Sequence, residues 1–284
     1  MAPSHDFPEI LRPADGEVPL VVSIPHSGVT LPEEELPFYA IAKQKLLQDG
    51  DLYVDELYEG AEALGATVVR TPFSRFVVDL NRLEDDFSPL AVAGARRSRA
   101  PGYYGDRGLF WAVTTHGAHI YRAPLSAEHV ERRLAAYYRP YHAALSAELA
   151  RLRERFGYAI LLDAHSMPSR ATKLHSDGPG SRRADIVPGD LLGHACGGWL
   201  SDATDAFWRS EGYSVERNQP YRGGGITRRH GAPDRGVHAI QVELNRGLYM
   251  DEQSYARSDG FEALGRSCLR FVERLSALTP PARA

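Results

Sequence analysis

The sequence predicts an α/β protein, a sheet with helices on both faces. Short apolar runs alternate with helical patterns along the 284 residues, the alternation that places helices against a sheet. A hydrophobic fraction of 43% is ordinary for a globular protein with a sizeable core. Four polar signatures at the ends of apolar runs are spread from residue 20 to residue 250 with no clear linker between them, so residues 1–284 are read as one domain.

Taken in order, LVVSI at 20–24 is a candidate strand. A helix follows over about 43–64, then strands at 67–70 (TVVR) and 76–80 (FVVDL). Next come a helix at 126–156, a strand at 159–163 (AILLD), a helix at 189–211, a strand at 238–244 (HAIQVEL) and a helix at 253–277. Each strand is a short apolar or alternating run. The helix at 126–156 is rich in Ala, Leu, Glu and Arg, with Pro140 expected to kink or divide it. Alternation in HAIQVELN puts His238, Ile240, Val242 and Leu244 on one face and Ala239, Gln241, Glu243 and Asn245 on the other. Residues 84–118 and 166–188, rich in Gly, Ser, Arg and Pro, read as long irregular loops of a kind that is often functional.

A net charge of −4 and a pI near 6.3 give no reason to expect nucleic acid or an anionic membrane as partner. No apolar run approaches a membrane span, and MAPSHDFPEI lacks the cationic start and apolar stretch of a signal peptide. Cys196 and Cys268 are far apart and without metal-ligand spacing, which suits a reducing compartment. The expectation is a cytoplasmic protein whose partner is a small acidic molecule.

The signatures are VVSIPHSG around His26, VVDLNR around Arg82, ILLDAHS around His165 and IQVELNRG around Glu243. Together they hold the parts of a hydrolytic metal site: N/O ligands with one position left open, a carboxylate outside the ligand set to take a proton from water, and a cation for the substrate. His26 and His165 each follow a buried strand at the end where α/β sheets collect ligands. Either alone reads as a hydrogen-bonded structural residue; their parallel placement favours convergence on one cation. A third ligand is sought among Asp49, Asp51 and Asp55. Leu47, Val54, Tyr58 and Ala61 mark a buried helical stripe with Asp51 at its edge, so Asp51 is preferred, a helix cap being the alternative. Glu243, a carboxylate in an apolar strand, is costly to bury unless paired or functional. It is read as the general base, the alternative being a salt bridge to Arg246 or Arg82.

Arg75 and Arg82 flank FVVDL, and the planar guanidinium fork suits a substrate carboxylate; Asn81 adds a donor. The segment 221–231, with its glycines, Thr227, Arg228 and Arg229, is read either as an anion-gripping loop or as a solvated turn. It lacks the spacing of a phosphate-binding P-loop. Arg170, just after DAHS, is a weaker candidate for the same duty. His116 and His119 lie in a loop with nothing to fix them as ligands. Asp163, His165 and Ser166 are set aside as a catalytic relay because neighbours on a strand alternate in direction, and residues 105–108 read as a turn.

In order and spacing, PHSG, DxDxxxDELY, SRFVVDLNR, YRPYHAAL, LLDAHS, GGGITRRHG and VHAIQVELNRGLYMDE, between about residues 20 and 252, resemble the N-formylglutamate amidohydrolase family, itself similar to zinc carboxypeptidases and aspartoacylases. The resemblance implies a three-layer α/β/α fold with a mixed central sheet, zinc-carboxypeptidase-like (phosphorylase/hydrolase-like). It implies one Zn2+ per chain on His26 and His165. The carboxypeptidase group's glutamate ligand is replaced here by Val29, so an aspartate of the 49–55 cluster, Asp51 by preference, must complete the set. The implied reaction hydrolyses an N-acyl acidic amino acid, first N-formyl-L-glutamate to formate and L-glutamate, a step of histidine degradation. Glu243 acts as base and then acid, Arg75 stabilises the oxyanion, and Asn81, Arg82, Arg170, Thr227, Arg228 and Arg229 are the candidates for holding the substrate carboxylates. Leu52 stands where the family carries Trp, and residues 83–118 depart from its Gly-Gln and Thr-Gly-Leu-Cys-Pro pattern in a region that helps form the substrate pocket. The competing readings are a carboxypeptidase-like or other deacylase using the same metal, and a non-catalytic anion-binding module.

Overall fold

Apolar runs buried on both sides form the centre of a six-stranded sheet in a computed structural model of the chain, which describes residues 7–42, 45–96 and 104–281. In chain order the strands are β1 (Glu9–Leu11), β2 (Leu20–Ile24), β3 (Thr67–Arg70), β4 (Ala159–Met167), β5 (Ile186–Gly189) and β6 (Val237–Asn245). Their order across the sheet is β1-β3-β2-β4-β6-β5. The four inner strands run parallel, and β1 and β5 close the edges antiparallel, so the sheet is mixed, as expected. Every residue of β2, β4 and β6 is buried, the condition of parallel strands covered on both faces.

Alternate residues of each strand feed two hydrophobic clusters. On one face Val21, Val69 and Leu161 pack under α3 (Ala127–Arg133) and α4 (Arg139–Phe156) through Tyr138, Tyr141, Leu145 and Leu149. On the other, Val22, Leu162, Ile240 and Val242 meet Leu200 and Trp208 of α5 (Gly198–Ser210) and Leu264, Phe271 and Leu275 of α7 (Phe261–Ser276). The architecture is three-layer α/β/α. Among the described residues no helix is long and apolar enough to cross a membrane.

Several elements differ from the sequence expectation. Residues 76–80 are not a strand. Phe76, Val77, Val78 and Leu80 are buried in the core beneath α3 and α4. Their backbone groups are satisfied by side chains and a loop instead of a ladder: Phe76 O accepts from the hydroxyls of Tyr39 and Tyr121, Val77 O from Arg133, and Asp79 N–H donates to Leu109 O. The helix expected from residue 43, whose first two residues lie outside the described ones, is two short pieces, α1 (Leu46–Asp49) and α2 (Val54–Leu57). Gly50 is extended and Tyr53 left-handed at φ 66°, which breaks the helix at Asp51. The helices at 189–211 and 253–277 shrink to α5 and α7 because their first residues form turns. Strands β1 and β5 were too short, and β5 too interrupted by Pro188, to stand out. Pro140 acts as expected: a wider π-turn at Leu134–Tyr138 precedes it and α4 begins at Arg139, since proline removes one rung of the helical ladder and crowds the preceding turn.

Candidate metal centre and active site

The carboxyl ends of β2, β4 and β6 open into a cavity of about 680 Å³. His26 lies two residues beyond β2, and His165 is near the end of β4. The helix break after α1 brings Asp51 between them, its N–H donating to His26 O at 2.9 Å. Asp51 Oδ2 accepts from His165 Nδ1 at 3.0 Å and lies 3.5 Å from His26 Nδ1. One ligand atom from each of the three residues falls within 4.8 Å of the others, and all three side chains are buried. Asp49 is occupied elsewhere, accepting from the Thr115 N–H and hydroxyl, and Asp55 sits in the first turn of α2. Of the three aspartates, Asp51 alone joins the histidines.

Each imidazole shows its second nitrogen to another carboxylate. His26 Nε2 bonds Asp79 Oδ1 at 2.8 Å, and His165 Nε2 is 3.0 Å from Asp163 Oδ2. Asp163 and His165 are two apart on β4 and so share a face; setting them aside as strand neighbours overlooked that period. Asp79 is the hub of the VVDLNR segment. Besides His26 it takes the Asn81 N–H on Oδ1, and Arg75 and Trp111 Nε1 on Oδ2 at 2.6 and 2.8 Å. Burial alone would raise its pKa, but Arg75, Arg82 and His26 hold it well below the usual carboxylate range. Burial disfavours charge on His165 too, and the surrounding Asp163, Asp51 and Glu243 outweigh it, holding the imidazole well above its usual range. The cluster therefore calls for positive charge.

A divalent cation fits this donor set. His26 Nδ1 is buried without a hydrogen-bond partner. Two imidazole nitrogens and one carboxylate oxygen leave a fourth tetrahedral position open, as catalytic zinc sites do, and the carboxylates behind the rings are the outer partners such ligands need.

Glu243 stands beside the cluster on β6, opposite His165 in the strand pairing. Burial pushes its pKa up to about 7, with Asp51 adding to the rise and His165, Arg75 and Arg183 opposing it. Gln241 Nε2 donates to its Oε1 at 2.9 Å, and Gln241 is fixed in turn by Asn81 Nδ2 at 3.1 Å. No ion pair joins Glu243 to Arg82 or Arg246 among the described residues. Arg246 instead grips Asp51 Oδ1 at 3.1 Å, Ser166 and Gln48 O.

Arg75, Asn81 and Arg82 line the cavity. Asn81 also bonds His165 Nε2 at 3.1 Å and accepts the Ile226 N–H at 2.8 Å. The remaining candidates are not brought to the cavity wall. Thr227 is wholly buried and bonds Gly224 O, Arg228 is exposed, Arg229 lies 3.8 Å from Glu84, and the exposed Arg170 bonds Gly180 O. Of the same segment, Tyr221, Arg222, Gly223 and Gly224 do line the cavity, and the glycines at 224 and 225 also permit close packing. A Cβ on Gly224 would fall 2.3 Å from the Asn81 amide, and one on Gly225 within 2.6 Å of the Arg82 backbone. At the start of α6 (Gly225–His230) the Ile226 and Gly225 N–H groups are given to Asn81. Asp79 escaped the sequence reading, and Asp163, Gln241 and Arg246 were named there without the roles they take here. A carboxylate inside the apolar run FVVDL was the available signal for Asp79.

Sequence similarity places the chain among amidohydrolases, here built on a mixed α/β/α sheet. It belongs to the N-formylglutamate amidohydrolase family, whose sequence profile matches residues 18–250. It is 39% identical over 274 residues to the N-formylglutamate deformylase of Pseudomonas aeruginosa, covering 95% of this chain and 97% of that one. Over 247 residues it is 37% identical to the Pseudomonas putida N-formylglutamate deformylase, 86% of each chain being covered. The crystal structure of N-formylglutamate amidohydrolase from Ralstonia eutropha JMP134 superposes with a TM-score of 0.83 at 35% identity, covering 95% of this chain and 97% of that one.

Proposed function

We propose that the chain is a metal-dependent amidohydrolase that cleaves N-formyl-L-glutamate to formate and L-glutamate. The observation that carries the metal is the buried, unbonded His26 Nδ1 facing Asp51 and His165; the relatives' names and sequence identity support the substrate. His26, Asp51 and His165 would hold the cation, one per chain, with zinc the first candidate. When bound, it supplies Lewis acidity, polarising the acyl carbonyl and lowering the pKa of water towards about 7.

Glu243 supplies the proton transfers. Its Oε1 is held by Gln241, which aims the carboxylate, and its raised pKa suits a base working near neutrality. It takes a proton as the water oxygen bonds the formyl carbon, and returns it to the nitrogen as the C–N bond breaks, so formate leaves and the amine is protonated. Arg75 is locked by Asp79 through Nε and Nη2, while Nη1 makes only a long 3.4 Å bond to Asp49 O. That donor is the one left for the developing oxyanion. Arg82, beside the cluster, takes the α-carboxylate. A cytoplasmic setting accords with two cysteines that are both free and buried.

The test measures metal content and formate release on one purified sample, before and after chelation and zinc return. Near-stoichiometric metal with chelator-sensitive, zinc-restored formate release is expected. Metal without formate release, with turnover of acetyl or succinyl derivatives, would replace the substrate; no metal would remove the mechanism.

A further inference from the structure

We propose that Arg107 selects the acidic side chain of the substrate, binding its distal carboxylate. This rests on the reaction proposed above and adds the residue that tells a γ-carboxylate from a neutral side chain.

Three guanidinium groups gather around one indole. Arg75, Arg82 and Arg107 lie 4.4, 5.8 and 5.9 Å from the Trp111 ring centroid. Like charges this close repel unless each is answered by an anion. Arg75 is answered by Asp79 at 2.6 Å. Arg82 is 3.9 Å from that same carboxylate, whose two oxygens already accept from Arg75, Trp111, His26 and Asn81 N–H, and it stacks on Tyr104 at 3.9 Å. Arg107 has no ion pair among the described residues, and its guanidinium donates to Leu174 O. Of the other carboxylates lining the cavity, Asp49 is engaged by Thr115, Asp51 by Arg246 and His165, and Glu243 by Gln241. Around the indole one carboxylate, Asp79, thus faces three guanidinium groups, and Arg107 is the one of the three that it does not reach.

Position divides the work between them. Arg82 lies next to Asp79, which touches His26, so it sits where the reacting amide must lie; the α-carboxylate hangs from the carbon that bears the scissile nitrogen and stays close. Arg107 is tethered to Leu174, exposed on the loop at the cavity mouth. A γ-carboxylate, two methylenes further out, extends towards it. The pair is held in register because Arg82 Nε donates to Arg107 O at 3.0 Å. Gly108 then permits the close turn, since a Cβ there would meet Asp86 O at 2.2 Å. The turn expected over residues 105–108 therefore serves to present a cation.

The experiment compares N-formyl-L-glutamate with its neutral isostere N-formyl-L-glutamine in the wild type, Arg107→Gln and Arg107→Lys. Arg107→Gln is expected to lower kcat/KM for the glutamate derivative about 10- to 100-fold, the range of a lost hydrogen bond to a charged group. The loss falls chiefly on KM, and the glutamine derivative is affected far less. Lysine restores part of the discrimination as a point charge without the fork. Equal losses on both substrates would make Arg107 a structural tether of Leu174, and undiminished preference for glutamate would exclude it from recognition; either overturns the assignment. Wild-type enzyme that releases no formate from N-formyl-L-glutamate would instead overturn the reaction, and this assignment with it.

Discussion

His165 and Glu243 stand directly opposite one another in the β4–β6 pairing, on the same face of the sheet. Asp163 and Gln241 are paired in the same register two residues earlier, so four polar side chains form a block at the carboxyl ends of two buried strands. Side-chain direction alternates along a strand, and a slip of one residue in β6 would replace Glu243 by Val242 or Leu244 on this face. The apolar residues that fill the opposite face therefore also fix where the acid and the histidine point.

Glu243→Gln tests that block first. Glutamine keeps the shape and a carbonyl oxygen for Gln241 to bond, but it cannot take a proton. Formate release is expected to fall about 10²- to 10⁴-fold, the range of a lost general base, with metal content and melting temperature little changed. Near-normal turnover with metal bound would remove Glu243 from the chemistry.

The carboxylates behind the rings should matter almost as much as the ligands. Asp163→Asn and Asp79→Asn each replace the carboxylate that faces an imidazole by a neutral amide. Metal affinity is expected to fall about 10- to 100-fold, read by competition with a coloured chelator. Asp79→Asn should also destabilise the fold, because Arg75 would lose its buried partner. Unchanged affinity in both variants would mean that the histidines are oriented by packing alone.

Much of this was legible because the strands that carry the site are the buried ones. Runs such as LVVSI and AILLD have one plausible fate, and the histidines at their ends inherit their position. The segment FVVDL has the same composition but lies beneath α3 and α4, where Tyr39, Tyr121 and Arg133, from distant parts of the chain, satisfy its carbonyls. No local pattern encodes those partners. Asp51 was preferred as an edge position on a helix, yet it reaches the cluster through a break in that helix, at an extended Gly50 and a left-handed Tyr53. Arginine beside glycine in GGGITRRHG suggested a ligand loop; Gly224 and Gly225 also make room for Asn81 and Arg82, 143 residues earlier in sequence, a reason visible only in three dimensions.

Away from the cavity, His142 and His230 should set the acid limb of stability. His142 Nε2–H donates to Leu80 O at 3.0 Å, so its Nδ1 accepts from His230 Nε2–H at 2.9 Å, and both rings are neutral. Burial, with His230 and Arg229 adding to it, holds His142 well below the usual imidazole range; burial and then Arg229 bring His230 to about 4. Their unfolded pKa is near 6.5, so the unfolded chain binds more protons as pH falls below that value. The stabilisation is complete above about pH 6.5 and is lost as pH drops towards the folded values, at about 1.4 kcal/mol per pH unit for each ring. His175, also lowered to about 4 by burial, acts in the same direction. These rings pull the melting temperature down between pH 6.5 and 5, and His230→Gln should shallow that fall. An unchanged slope in the variant would assign the acid limb to other groups.

The glycine run gives the sharpest structural prediction, because two adjacent positions fail for different reasons. An alanine Cβ at 224 would press on the Asn81 side chain, which bonds His165 and Gln241 and can yield only by giving up those bonds. At 225 it would press on the Arg82 backbone, which cannot yield without moving the whole segment. Overpacking of this kind costs about 1–3 kcal/mol. Gly225→Ala should therefore lose more stability, whereas Gly224→Ala should lose more activity for each degree of melting temperature, since its strain falls on the residue that aims Gln241 and touches His165. Gly198, at the start of α5, has open space where a Cβ would stand. Gly198→Ala is the matched control and should be neutral or stabilising by up to about 1 kcal/mol. Thermal melts and formate release on the three variants decide it. Equal behaviour at 198, 224 and 225 would show that the cavity wall tolerates the added methyl groups and that the close approach to Asn81 and Arg82 does not constrain the site.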